Sequence, residues 1–276
     1  MLPTIVHNGP VMSFPGSSRR TQSLPLAEAP SPVPPPGVDC RKSAFFLDVD
    51  GTLLPLAGHP RDVSVPRALL ERLDEIRSLA QGALALVSGR PLADLDRLFA
   101  PEIFPAAGQH GAERRDGAGK LHRRDTHAAL LHRLRPKISR CSGRIRGSFV
   151  EDKGLCIAIH VRDRPEIVDG LRKELESVIS PHPELALLEG KNVLEIHPAA
   201  MDKGRALEDF LTELPFRGRH PVFLGDDVTD ESGFDAVDRA GGTSIKVGAG
   251  PSRARYRLET PAAAVAWLSG LARDHP

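Results

Sequence analysis

Ala44-Phe45-Phe46-Leu47 is a short apolar run that ends abruptly on Asp48. Consecutive apolar positions read as a strand covered on both faces, which is the usual state of a strand in a parallel sheet. The same construction recurs twice. Ala83–Val87 ends at Ser88-Gly89-Arg90, and Pro221-Val222-Phe223-Leu224 ends at Gly225-Asp226-Asp227. Helical spacing lies between and after these runs. Val65, Leu69, Leu73 and Ile76 predict a helix over 66–80 with Ser64 as its cap, and further helices are predicted over 203–214 and 231–239, with a strand at 243–247. Strand–helix alternation of this kind predicts an α/β fold, a Rossmann-like doubly wound parallel sheet with helices on both faces.

The middle of the chain breaks that rhythm. A helix is predicted over 127–140, a strand pair at 148–153 and 155–162 joined near Gly154, a helix over 165–179, and strands at 185–188 and 192–196 with Gly190 at the turn. This is an α+β unit inserted into the sheet domain. The predicted division is a core of residues 41–125 and 198–276, an inserted domain of residues 126–197, and a disordered, proline-rich extension of residues 1–40, which hold nine prolines.

Composition removes several classes of function. The chain has 276 residues with a formal net charge of +1, no dense basic run and only 4% aromatic residues, so a grip on nucleic acid is not expected. Cys40, Cys141 and Cys156 are scattered without a CxxC pair, which argues against a zinc site or disulfide framework and for a reducing, cytoplasmic setting. No apolar stretch approaches the length of a membrane span. The expected partner is a small molecule, and the expected state a monomer or weak oligomer.

In open α/β sheets, sites form where strands end. Asp48-Val49-Asp50-Gly51-Thr52-Leu53 places two carboxylates at the end of the first strand. A carboxylate there can attack phosphorus and carry the group as an acyl phosphate, a role that falls to Asp48. Asp50 is near enough to give a proton to the leaving oxygen and later take one from water. The bland alternative is an Asp-Gly turn with a capping carboxylate. Ser88 and Gly89 offer a hydroxyl and backbone N–H groups to phosphate oxygen, and Lys203 can hold phosphate and offset charge on Asp48. Gly225-Asp226-Asp227-Val228-Thr229-Asp230-Glu231 clusters acids that repel unless a cation joins them, and Mg²⁺ favours a few carboxylates with phosphate oxygen. Along 155–162, Leu155, Ile157, Ile159 and Val161 alternate with Cys156, Ala158, His160 and Arg162, so one face is apolar and the other polar.

This ordered set, DxDGTL, serine, lysine and GDDxxD, resembles the haloacid-dehalogenase-like phosphatase superfamily over about residues 43–270. The resemblance implies Asp48 as nucleophile and metal ligand, Asp50 as acid/base with its carbonyl on the metal, Ser88 and Lys203 on phosphate, and Asp226 as a Mg²⁺ ligand. Asp227 and Asp230 would support the metal from behind, and the inserted domain would be a cap. Gly108–Glu113, Phe149–Gly154, His160-Val161-Arg162 and Leu188–Pro198 followed by Asp202-Lys203-Gly204 resemble, more narrowly, the trehalose-6-phosphate phosphatase family. That implies trehalose 6-phosphate as substrate, with Glu151, Lys153 and Glu189 on the distal glucose and Arg162, His160, Gln109 and His110 as further contacts. The competing expectations are a phosphatase for another sugar phosphate, such as sucrose 6-phosphate or a glycosyl-glycerol phosphate, a phosphotransferase or mutase, and a catalytically silent regulatory module.

Overall fold

A computed structural model of the chain describes residues 33–56, 63–124, 127–143, 148–161, 165–190, 193–199 and 201–273. Its first strand, β1 (Ser43–Leu47), is buried at every position. The helix α1 (Arg67–Leu79) follows and buries Leu69, Leu73 and Ile76. Its cap position is Pro66 and not Ser64, because Pro66 already supplies the extended backbone from which a helix starts. Next come β2 (Leu84–Val87), α2 (Leu92–Leu98), β3 (Ala106–Gly108), β4 (Glu113–Arg115) and β5 (Leu121–Arg123).

The inserted unit comprises α3 (Ala128–Ser142), β6 (Ser148–Asp152), β7 (Ile157–Val161), α4 (Pro165–Ile179), β8 (Leu185–Gly190) and β9 (Val193–Pro198). The core resumes with α5 (Lys203–Leu211), β10 (His220–Gly225), α6 (Glu231–Arg239), β11 (Thr243–Val247), β12 (Tyr256–Leu258) and α7 (Pro261–Arg273). Helix α5 stops short of the predicted Leu214. Pro215 follows, and a residue before proline is pushed out of the helical region.

Among the described residues, one sheet runs β12-β11-β10-β1-β2-β3-β4-β5. It is parallel from β12 to β3 and antiparallel across β3-β4-β5. The chain leaves β1 to one side through β2 and β3 and returns on its other side as β10, so the connections diverge between β1 and β10. Crevices open at such switch points, at the carboxyl ends of the strands. Phe46 of β1 packs with Phe210 and Phe216, centroids 5.8 and 5.4 Å away, and so anchors α5 beneath that edge.

The second sheet, β6-β7-β9-β8, is antiparallel and has its own core. Ile157, Ile159 and Val161 of β7 and Leu194 and Ile196 of β9 bury against Leu130, Leu134 and Ile138 of α3 and Leu171 and Leu175 of α4. One face is thus sealed by helices. The other turns toward the larger sheet.

The structure departs from the expectation of disorder at the end of the proline-rich extension. The Val33 carbonyl accepts from Arg257 N–H of β12 at 3.0 Å, and Val38 packs against the main core. Edge strands present unpaired backbone groups, and this segment satisfies one of them. Residues 1–32 lie outside the described residues.

Candidate active site

Asp48 leaves the buried end of β1 and Lys203 opens α5, whose cap is Asp202, accepting from Arg205 N–H at 2.7 Å. Lys203 Nζ donates to Asp48 Oδ1 at 2.7 Å and to Asp230 Oδ1 at 2.6 Å. All three are withdrawn from solvent, Asp48 4%, Lys203 3% and Asp230 0% exposed. Burial drives the Asp48 carboxyl well above the usual range, and the nearby Asp230 and Asp226 add to this against the pull of Lys203. The ammonium of Lys203 moves up because Asp230 and Asp48 outweigh its own burial.

Asp48, Asp226 and Asp230 each bring a carboxylate oxygen within 4.8 Å of the other two. The residues at the ends of β1 and β10 therefore share one small volume. Burial, then Asp230, pushes Asp226 up to about 6. Both oxygens of Asp230 are engaged. Oδ1 takes Lys203, and Oδ2 accepts from the Asp226 and Asp227 N–H groups, both at 2.9 Å, so Asp230 shapes the acidic loop from behind. Lys246 of β11, which sequence reading did not single out, donates to the Asp226 carbonyl from a buried position. Gly51 adopts φ +85°, and a Cβ there would run into the Asp226 carboxylate, so the motif needs glycine both for its turn and for the approach of the two loops.

Asp50 does not join this cluster. Arg90 takes both its oxygens, Nε to Oδ2 at 2.6 Å and Nη2 to Oδ1 at 2.7 Å. Ser88 stands at the end of β2, where its Oγ accepts from Arg90 N–H at 3.1 Å. Gly89 lies under the His110 ring, where a Cβ would come within 3.0 Å of it. Gln109 and His110 both hold left-handed backbone, φ +47° and +56°. Such conformations in non-glycine residues persist only where surroundings impose them, and they concentrate at functional sites.

The core-facing side of the second sheet supplies the remaining polar groups. Strand alternation puts Glu151, Lys153, His160, Glu195 and His197 opposite the residues buried by α3 and α4. Lys153 Nζ donates to Glu195 Oε2 at 2.9 Å and reaches the Gly89 carbonyl at 3.4 Å. His110 Nε2 lies 3.1 Å from Glu195 Oε1. Gln109 Oε1 accepts from Leu155 N–H at 3.2 Å. Core and inserted domain therefore meet through Gly89, Gln109 and His110 on one side and Lys153, Leu155 and Glu195 on the other. Burial alone would raise Glu195, but Lys153 and then His110 hold it well below the usual carboxylate range. Glu151 is lowered by its hydrogen bond with His160 Nε2, at 2.8 Å.

Glu189 is not brought into this set. It shares the helix-facing side of β8 with Leu185 and Leu187, is 52% exposed, and its carboxylate lies 3.5 Å from Arg172 Nε of α4. The neighbouring Glu195, paired with Leu188 in the ladder, occupies the core-facing side instead. The signal was available in principle, since Leu194 and Ile196 flank Glu195 in strict alternation. Arg162, and Lys191 at the hairpin tip, lie outside the described residues. A Cβ on Gly190 would stand 3.2 Å from Asp227 Oδ2, so the end of β8 reaches the acidic loop.

The donor set fits a hard divalent cation. It is all oxygen and carboxylate-rich, and burial first, with the crowding of the acids adding to it, drives Asp48 and Asp226 toward protonation. An aspartate at the end of the central strand, a buried lysine, an acidic loop after the adjacent strand and an inserted second sheet place the chain among haloacid-dehalogenase-like folds. A solved haloacid dehalogenase-like hydrolase from Bacteroides thetaiotaomicron has the same fold, with a TM-score of 0.62 at 17% identity over 84% of this chain and 99% of that one. So does the C. albicans trehalose-6-phosphate phosphatase C-terminal domain, with a TM-score of 0.77 at 20% identity over 87% of this chain and 98% of that one. The model of the trehalose-phosphatase family matches residues 46–262. Trehalose-6-phosphate phosphatase of Escherichia coli strain K12 is 42% identical over 227 residues, 82% of this chain and 85% of that protein. A probable trehalose-phosphate phosphatase of Sinorhizobium fredii is 44% identical over 206 residues, 74% of this chain and 77% of that protein. The chain belongs to the trehalose-phosphatase family.

Proposed function

We propose that this chain hydrolyses trehalose 6-phosphate to trehalose and phosphate through an aspartyl phosphate on Asp48. The observation that carries the reading is the meeting of Asp48, Lys203, Asp226 and Asp230 in one buried volume beneath a polar cap face. Asp48 attacks phosphorus while Lys203, already 2.7 Å from its carboxylate, balances charge on the phosphoryl oxygens. The Ser88 hydroxyl and the N–H groups around Gly89 hold the same oxygens. Asp50 gives its proton to the departing sugar oxygen as the P–O bond breaks, then takes one from the water that cleaves the Asp48–phosphorus bond. Asp48, the Asp50 carbonyl and Asp226, with Asp227 and Asp230 behind them, would hold Mg²⁺, which when bound would supply Lewis-acid neutralisation of the phosphoryl charge.

The disaccharide lies between core and cap. Glu151, Lys153 and Glu195, with His160, Gln109 and His110 around them, offer charged acceptors and donors suited to sugar hydroxyls. Glu189, on the helix-facing side of β8, and Arg162, outside the described residues, are further sugar contacts that the family resemblance implies but that this face does not include. We divide the chain into a core of 41–125 and 198–276 and a cap of 126–197, a reading supported by two separate hydrophobic cores, the first of which also takes in Val38 and Cys40. Among the described residues no helix is long and apolar enough to cross a membrane. We place the enzyme in the cytoplasm as a monomer or weak oligomer acting on a small sugar phosphate, without nucleic acid or membrane partners.

Phosphate release measured across a panel of sugar phosphates, with and without Mg²⁺, tests the reading. Trehalose 6-phosphate should be the best substrate and turnover should need the metal. Faster hydrolysis of sucrose 6-phosphate or glucose 6-phosphate would overturn the substrate assignment.

A further inference from the structure

Asp50 stands two residues from Asp48 and yet keeps its carboxylate out of the group formed by Asp48, Asp226 and Asp230. Arg90 accounts for this. Its guanidinium meets both oxygens in a parallel fork, Nε–Oδ2 2.6 Å and Nη2–Oδ1 2.7 Å, and its side chain is only 11% exposed. Arg90 is itself held at both ends of its backbone. Its N–H donates to Ser88 Oγ at 3.1 Å, and its carbonyl accepts from Gln109 N–H at 3.0 Å. A two-point fork from a planar group fixes the plane of a carboxyl as well as its position, which a single ammonium does not.

We propose that Arg90 is a positioning residue for the reaction: its fork orients the Asp50 carboxyl toward the leaving oxygen and keeps it off the neighbouring carboxylate cluster. The proposal rests on the phosphatase reading above, with Asp50 as acid and base. In the first half-reaction the Asp48 oxygen bonds to phosphorus, the bond to the leaving oxygen breaks, and the Asp50 proton passes to that oxygen. In the second, water bonds to phosphorus, the Asp48–phosphorus bond breaks, and the water proton returns to Asp50. Both transfers need one Asp50 oxygen in a defined direction, close beside a set of carboxylates that a cation would draw it into. Arg90 joins the motif at the end of β1 to that at the end of β2, and neither alone sets the direction.

The test is the dependence of kcat/KM on leaving-group acidity, because this parameter covers the steps up to departure of the alcohol. Wild type, Arg90→Ala and Arg90→Lys are assayed with saturating Mg²⁺ on substituted phenyl phosphates graded in acidity, which avoids the sugar contacts of the cap. Loss of an oriented acid should cost roughly hundredfold or more for the poorest leaving group and less than about tenfold for p-nitrophenyl phosphate, so the plot steepens. Arg90→Lys, which keeps the charge without the fork, should steepen it as well and carries the test if the alanine variant does not fold. In an Asp50→Asn background, Arg90→Ala should change kcat/KM by less than about threefold, since the two residues act as a unit. An equal loss at every leaving group, a wild-type slope in the lysine variant, or a full added loss in the Asp50→Asn background would each overturn the proposal. A wild-type protein inert toward every phosphate ester would instead sink the phosphatase reading and the proposal with it.

Discussion

Lys203 is the group on which the charge balance of the site most depends, and Lys203→Met isolates that role. The side chain is replaced by an apolar one of similar length, so packing changes little. What is lost is a buried ammonium 2.7 Å from Asp48 and 2.6 Å from Asp230. Removing one partner of a buried pair leaves uncompensated charge and typically destabilises by about 3–5 kcal/mol. For a chain of this size each kcal/mol moves Tm by about 2–4 °C, so the variant should melt about 6–20 °C lower in metal-free buffer at neutral pH. The deficit has a defined pH dependence. Without Lys203 the folded-state pKa of Asp48 rises further, so the folded variant binds protons that its unfolded chain releases. Its stability relative to wild type should therefore fall as pH rises from 5 to 8. Mg²⁺ should recover part of the loss by replacing the missing positive charge. Asp230→Asn, placed in the Lys203→Met background, removes one of the two orphaned carboxylates and should raise Tm again. Melting by circular dichroism or calorimetry with EDTA, then with Mg²⁺, gives all four numbers. A Lys203→Met variant within 2 °C of wild type in EDTA at pH 8, an interval below the shift argued from burial, would refute the view that this lysine neutralises the site.

Other expectations follow from single contacts. Burial and the neighbouring Asp230 push Asp226 up to about 6, above its value in the unfolded chain, so this carboxyl's contribution to the stability of the metal-free protein should fall as pH rises from about 4 to 7. Converted at 1.36 kcal/mol per unit, this is about 3 kcal/mol, and melting with and without Mg²⁺ across that range should show the fall only without metal. Gly51→Ala puts a Cβ into the Asp226 carboxylate at a left-handed backbone position, so it should weaken Mg²⁺ activation at least tenfold, roughly 1.4 kcal/mol, read as the Mg²⁺ concentration for half-maximal rate. Glu195→Gln leaves Lys153 without its anionic partner and should raise KM for trehalose 6-phosphate several-fold while changing p-nitrophenyl phosphate turnover little; equal effects on both would place Glu195 in core structure instead. Asp48→Asn should abolish turnover yet leave Tm unchanged or higher, because it removes one of three crowded carboxylates while Asp230 still pairs with Lys203.

The chemistry-bearing strand ends were legible because each depends on local pattern alone. An apolar run that stops on a carboxylate places that carboxylate at a strand end whatever the rest of the chain does, and this held for Asp48, Ser88 and Asp226. The strand–helix alternation likewise placed α6 and β11 to the residue. Helix α2 and strands β3 to β5 were not read, since elements of three to seven residues are too short to display a period. Glu189 and Glu195 show a different limit. Both sit in strands with apolar neighbours, and Leu187-Leu188 are apolar in succession, so the phase of β8 is ambiguous until its ladder with β9 and its packing on α4 are known.

Residue identity and spacing thus point to groups able to carry the chemistry and to the order in which most strands and helices follow, because propensity and periodicity act over a few neighbours. Which groups touch is a matter of long-range packing. Lys203 reaches Asp48 across 155 residues of chain, and Arg90 finds Asp50 across 40. Those contacts, the face on which Glu195 lies and the closeness of Gly51 to Asp226 exist because parallel strands from distant segments end at one edge, and no local pattern encodes that.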